Sequence, residues 1–274
     1  MRVVFACARS SPGVTTAMVA CASSWPGPVL LVEASEEGGA LAARFGLAVE
    51  PGLTTLAAAS RHDTTGGGGL VGRHTQPLPG SERITALLGP PSMEPAQALL
   101  RSGATRLATL LETVVHDVLI DAGRLSTSAL AAPLIAGADR LVIVARPRIE
   151  ELTALAHRLE VLRAFGPAPE LLLVGDRPYG PDEVADTLGV PVLGVLAQDV
   201  GAADGLAATV TVRGLSRRPL LRSATSIVDA LVGATEPVRS GSVPDIAPDI
   251  ESAIEPALNG QRISRRRWPV AGRS

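Results

Sequence analysis

Seven consecutive residues, Ser10-Ser11-Pro12-Gly13-Val14-Thr15-Thr16, follow an apolar run (Arg2–Cys7, RVVFAC) and open a helical stretch of small residues. Glycine and hydroxyl residues between a strand and a helix let successive backbone N–H groups and the helix N-terminus converge on one point, which suits an anion such as phosphate. A hydroxyl in the first helical turn suits a divalent cation. Two acids end apolar runs elsewhere: Glu33 closes PVLLVE and Asp121 closes HDVLID. Arg9 is the cation of the loop. All 25 basic residues are arginine, so no reaction here can use a lysine. The plainer reading of Ser10–Thr16 is an ordinary strand–helix turn, with Thr15 or Thr16 capping the helix.

Placing these groups at one edge requires a sheet. Short apolar runs alternate with helical patterns, which predicts an α/β fold, a mostly parallel sheet with helices on both faces. The strands are read at Arg2–Cys7, Pro28–Glu33, Ile84–Leu88, His116–Asp121, Arg140–Ala145, Leu171–Val174 and Pro191–Leu196. Helices are read from about Thr15 to Ser24 and over Arg217–Val232. His62–Gly80 is rich in glycine and proline and is read as a disordered loop. Beyond Gly233 the composition shifts to Pro, Ser, Asp and Glu, which divides the chain into a domain over 1–233 and a disordered tail over 234–274.

Aromatic residues make up only 2% of the chain and hydrophobic ones 46%, so a core of Ala, Val, Leu and Ile is expected. A net charge of −2 argues against a nucleic-acid-covering surface, and nucleic acid is not expected as the main partner. Cys7 and Cys21 lie among small apolar residues and read as buried thiols of a cytoplasmic protein. With no C-x-x-C pair and four scattered histidines (His62, His74, His116, His157), no zinc-type site is expected. No cleavable leader is expected, and no apolar run reaches the roughly 18 residues of a transmembrane segment. Arg217 and Arg218 read as solvated charges. Arg265-Arg266-Arg267-Trp268 gives the tail a basic end, which Pro269 keeps from forming an amphipathic helix.

The segments ARSSPGVTTAMVACA, LVEASEEGGALAARFGL, VLIDAGR, ADRLVIVARP and GVPVLGVLAQD, in that order, resemble the ParA/MinD-type P-loop NTPases over roughly residues 1–233. Against the family's K-G-G-x-G-K-T-T without a gap, Arg9 stands at the lysine that reaches a dimer partner's nucleotide, and Val14 at the lysine that bridges the β- and γ-phosphates; a gapped alignment instead deletes the glycine and lysine together, and either way no lysine is present. Gly13 matches a loop glycine and Thr15 the magnesium-binding hydroxyl; in the family's second motif, D-x-D, Glu33 and Ser35 stand at the two acids. Asp121 matches the acid that holds magnesium through water. Gly175-Asp176 replaces the adenine-reading asparagine.

The resemblance implies ATP on Arg9–Thr16 and Mg2+ near Thr15 and Asp121. With the lysine absent, binding is expected to be weak or absent, and without an acid at Ser35 hydrolysis slow or absent. It also implies a homodimer and a protein partner in a positioning or pilus/secretion machine, closest in character to the CpaE/TadZ branch, with any membrane contact peripheral and made through a partner. The alternative is a pseudo-NTPase scaffold that binds no nucleotide and acts through protein contacts. A second role for Glu33, on a dinucleotide ribose, would need a G-x-G-x-x-G loop that Ser10–Gly13 does not supply.

Overall fold

The computed structural model describes residues 1–9, 12–62, 69–126, 130–206 and 217–233. Ser10, Ser11 and the tail over 234–274, with its basic end, lie outside these residues. The elements in chain order are β1 (Arg2–Cys7), α1 (Val14–Ser23), β2 (Val29–Glu33), α2 (Leu41–Phe45), α3 (Leu53–Ser60), β3 (Gln76–Pro77), β4 (Ile84–Leu87), α4 (Met93–Glu112) and β5 (Asp117–Arg124). There follow α5 (Ala132–Ala136), β6 (Arg140–Ala145), α6 (Ile149–Ala156), α7 (Leu159–Phe165), β7 (Pro169–Val174), α8 (Pro181–Leu188), β8 (Val192–Leu196), α9 (Val200–Leu206) and α10 (Pro219–Gly233).

The strands form one eight-stranded sheet, ordered β3-β4-β2-β5-β1-β6-β7-β8, parallel except for β3. Val3, Phe5, Leu31, Leu119, Val142 and Val144 share one core cluster with α1 and α10. Side chains alternate along a strand, so Val4, Ala6, Leu30, Ile120 and Ile143 face the other way, and they are buried too. Unbroken apolar runs such as RVVFAC therefore serve strands covered on both sides, and the expected α/β architecture is observed. In α1, Ala17, Met18, Val19, Ala20 and Cys21 are all buried, so this central helix is apolar all round.

Two expectations need correction. The strand read as ending at Asp121 continues to Arg124, because β1 shifts register between Phe5 and Cys7 and Cys7 then pairs with Arg124. Within the stretch read as disordered, Val71–His74 form a 3₁₀ turn and Gln76–Pro77 pair antiparallel with β4. The Gln76 amide donates to the carbonyls of Ala48 and Pro51 at 2.9 and 2.7 Å, fastening this edge, where a proline is tolerated. Residues 63–68 of that stretch are not among those described.

At the foot of the sheet the Trp25 indole N–H donates to Asp117 Oδ2 at 2.8 Å, and the N-terminal ammonium to Oδ1 at 2.7 Å. Partial burial alone would raise the Asp117 carboxyl. The two hydrogen bonds and the ammonium charge outweigh it and hold the group below the usual carboxylate range. Arg217 is exposed as expected, but Arg218 is not simply solvated: its guanidinium forks onto Asp199. His62, His116 and His157 are exposed, and His74 bonds to the Thr55 hydroxyl. Among the described residues no helix is long and apolar enough to cross a membrane.

Candidate functional site

The loop after β1 reaches α1 through Gly13, whose φ of 105° and ψ of 40° fall in the left-handed region that glycine adopts without strain. The first backbone bond of α1 runs from Ala17 N–H to the Gly13 carbonyl at 2.8 Å. The N–H groups of Val14, Thr15 and Thr16 precede it, as the opening donors of a helix do. Neither threonine caps the helix, which corrects the capping role read for Thr15 or Thr16. Thr15 Oγ1 instead donates to Asp121 Oδ2 at 2.5 Å, and Thr16 Oγ1 accepts from Arg44 Nη1 at 3.2 Å. Val14 is buried in the core cluster at 7% exposure. Pro12 is buried and Arg9 is exposed.

Asp121 lies in the carboxyl-terminal half of β5, opposite Glu33 in the β2–β5 register. It is 3% exposed. Its Oδ1 accepts the Gly123 N–H at 2.8 Å, and its carbonyl takes the Ala34 N–H at 2.8 Å. Burial pushes the Asp121 carboxyl up, against the opposing pull of the Thr15 hydroxyl, the Gly123 N–H and the Arg44 charge. Nearby Cys7 is pushed up to about 12 by burial and by the charges of Asp121 and Glu37, so it stays a thiol rather than a nucleophile.

The turn after β2 spends its acids on the fold. Glu33, expected as the first acid of a motif, accepts the N–H groups of Ala40 and Leu41 on Oε1 at 2.6 and 2.8 Å, and that of Gly89 on Oε2 at 3.2 Å. Glycine at 39 lets the chain close on this carboxylate: a Cβ there would lie 2.5 Å from Oε2. Glu33 is therefore an internal anchor for α2 and the segment after β4. Glu36 is buried as well and accepts the Ser126 hydroxyl at 2.6 Å and the Leu130 N–H at 3.1 Å. Glu37 pairs with Arg124. Ser35 accepts the Glu37 N–H at 3.2 Å and rests against Gly123, where a Cβ would come within 2.3 Å of its hydroxyl oxygen.

Gly13, Thr15, Thr16, Asp121 and Ser35 thus gather toward the carboxyl ends of β1, β5 and β2, the edge where open parallel sheets bind ligands. Asp176 is exposed on the segment after β7. Sequence reasoning missed Arg44, which sits far along the chain from Thr16, and the burial of Glu36. The described residues hold no group of three or more His, Cys, Asp or Glu able to cage a metal. A cation here would have to draw on the Thr15 hydroxyl, water and ligand oxygens, as magnesium does.

No protein-family profile matches the sequence, and no curated protein matches it. Solved structures do match it. A ParA family ATPase from Chlorobium tepidum superimposes with a TM-score of 0.68 at 19% identity, covering 84% of this chain and 97% of that one. The septum site-determining protein MinD of Pyrococcus horikoshii, complexed with Mg-ADP, gives 0.65 at 18% identity over 84% and 96%. A Cyanothece McdA variant in complex with ATP gives 0.62 at 17% identity over 87% and 98%. Identity at this level speaks for the backbone alone, and on that backbone the chain has the fold of the ParA/MinD-type P-loop NTPases.

Proposed function

We propose that this chain is a nucleotide-binding switch that takes ATP with magnesium on the Arg9–Thr16 loop and hydrolyses it slowly or not at all. The observation that carries this reading is the Thr15–Asp121 hydrogen bond of 2.5 Å beneath a left-handed Gly13. A hydroxyl held by a buried carboxylate, beside the first N–H groups of a helix, suits a magnesium-bound phosphate. Bound magnesium would supply charge neutralisation at the phosphate oxygens. Thr15 would hold it directly and Asp121 through the Thr15 hydroxyl and water. The similar MinD and McdA structures hold Mg-ADP and ATP, which supports the same class of ligand here. The missing acid at Ser35 and the buried valine at 14 favour binding over turnover.

In this reading two chains close face to face with the exposed Arg9 toward the partner's nucleotide, and the dimer serves a positioning or pilus/secretion assembly through a protein partner. Val14 gives a specific ground for the second reading, a scaffold without nucleotide: the residue where a phosphate-binding lysine is expected packs into the core instead. Titrating the protein with labelled ATP and magnesium separates the two. Saturable binding lost in Asp121→Ala, with no turnover above background, is the expected result. No binding at millimolar ATP would replace the switch with the scaffold, and steady turnover abolished by Asp121→Ala would overturn the slow-hydrolysis part.

A further inference from the structure

Arg44 stands on α2, outside every motif by which the loop was read, yet its Nη1 reaches the Thr16 hydroxyl at 3.2 Å. A guanidinium carries five N–H donors in a planar fork. Among the described residues this hydroxyl is its one hydrogen-bond partner, and it has no carboxylate within ion-pair distance. The other half-buried arginines are held differently: Arg2 pairs with Glu112, Arg140 forks onto Glu170, Arg146 pairs with Glu151, and Arg158 donates to the Leu125 carbonyl. Arg44 therefore lies half-buried against the first turn of α1 with most of its donors unspent. Its charge also lowers the Asp121 carboxyl, whose Oδ2 the neighbouring Thr15 hydroxyl binds.

We infer that Arg44 is the phosphate-neutralising cation of this site, supplied from α2 in place of the lysine that Val14 has displaced. The inference rests on the nucleotide reading above and adds to it the group that makes binding affordable without a lysine in the loop. A fork of donors beside the Thr16 hydroxyl suits the oxygens of a polyphosphate chain, which it can engage two at a time. The anchoring of α2 by Glu33 gives this cation a fixed base, since Ala40 and Leu41 at the start of its helix are the groups that Glu33 binds. The acid that left the ligand site thus positions the element that carries the cation.

The test is equilibrium binding of Mg-ATP and, separately, of inorganic tripolyphosphate to wild type, Arg44→Ala, Arg44→Gln and Arg101→Ala, each also melted with and without ligand. Arg101 is exposed on α4 and controls for loss of one surface charge. Losing one charge-assisted phosphate contact is expected to weaken both ligands about ten- to a hundredfold and to abolish the ligand-induced rise in melting temperature. Arg44→Gln, which keeps a donor for Thr16, should melt without ligand where wild type does and still lose the affinity. If wild type binds and both Arg44 variants bind within twofold of it, Arg44 is a structural tether and the inference falls while the nucleotide reading stands. If wild type binds neither ligand, both fall together.

Discussion

The turns after β1 and β2 leave the same edge of the sheet and flank the same carboxylate, but they use their polar groups in opposite ways. After β1, glycine and threonine present donors and hydroxyls, and the charged groups they touch are Asp121, through Thr15, and Arg44, through Thr16. After β2, three glutamates are present, and their oxygens are taken by Ala40, Leu41 and Gly89, by Ser126 and Leu130, and by Arg124. The acid-rich turn spends its carboxylates on the fold, while the described residues of the acid-free one leave the first N–H groups of α1 without an acidic side chain of their own loop. Residue type does not reveal whether a group is available; its partners do, because buried backbone donors must find acceptors somewhere.

The largest effect expected from breaking this contrast is at Glu33. Glu33→Ala leaves three backbone N–H groups without their acceptor and should cost about 3–5 kcal/mol in urea unfolding. If Glu33→Ala unfolds at the wild-type midpoint, the turn after β2 is not the structural one. Val14→Ala comes next, at about 1–2 kcal/mol for a buried side chain shortened, with the affinity for Mg-ATP unchanged because valine offers no phosphate donor. A drop in affinity at unchanged stability would move Val14 from the core into the ligand site.

The smallest effect is a pH slope. Burial raises the Glu33 carboxyl, against the pull of the Leu41, Ala40 and Gly89 N–H groups. Its folded pKa exceeds its unfolded one, so the folded state holds the proton more tightly. Stability is then fullest below the ordinary carboxylate range and falls as pH rises from there through the raised folded value, by at most about 1.4 kcal/mol per pH unit. Asp121 carries the same sign. Glu33→Gln should flatten the slope above about pH 4.3 relative to wild type. An identical slope in the variant would show that Glu33 does not titrate in this way.

Much of the frame was legible in sequence. β6 lies where RLVIVA was read, and β1 where RVVFAC was, because short unbroken apolar runs bounded by turn residues have few other uses in a chain of this class. β3 was missed because a two-residue edge strand has no periodicity to detect, and what fixes it is the Gln76 amide reaching back to Ala48 and Pro51. The loop glycine, Thr15 and Asp121 were found from their order along the chain, and the structure brings them together. The anchoring role of Glu33 and the placement of Arg44 went unseen for one shared reason. The role of each is set by contacts across the fold: Glu33 reaches Gly89, and Arg44 reaches Thr16, from elements whose spacing carries no mark of the pairing. Which hydroxyl caps a helix and which turns to a carboxylate is likewise decided by the neighbouring strand.

The Trp25–Asp117 contact gives this chain its own spectroscopic reporter. Trp25 is 2% exposed, and the chain's second tryptophan, Trp268, belongs to the tail, so replacing Trp268 with phenylalanine leaves a single indole emitting from the folded domain. That indole is hydrogen-bonded to the foot of β5, the strand whose far half carries Asp121. Because Asp117 is held below the usual carboxylate range, its protonation on acidification comes at lower pH than that of an ordinary aspartate. Emission from Trp25 therefore follows the foot of the sheet without any label near Asp121, and reports on the amino-terminal end of β5 by itself.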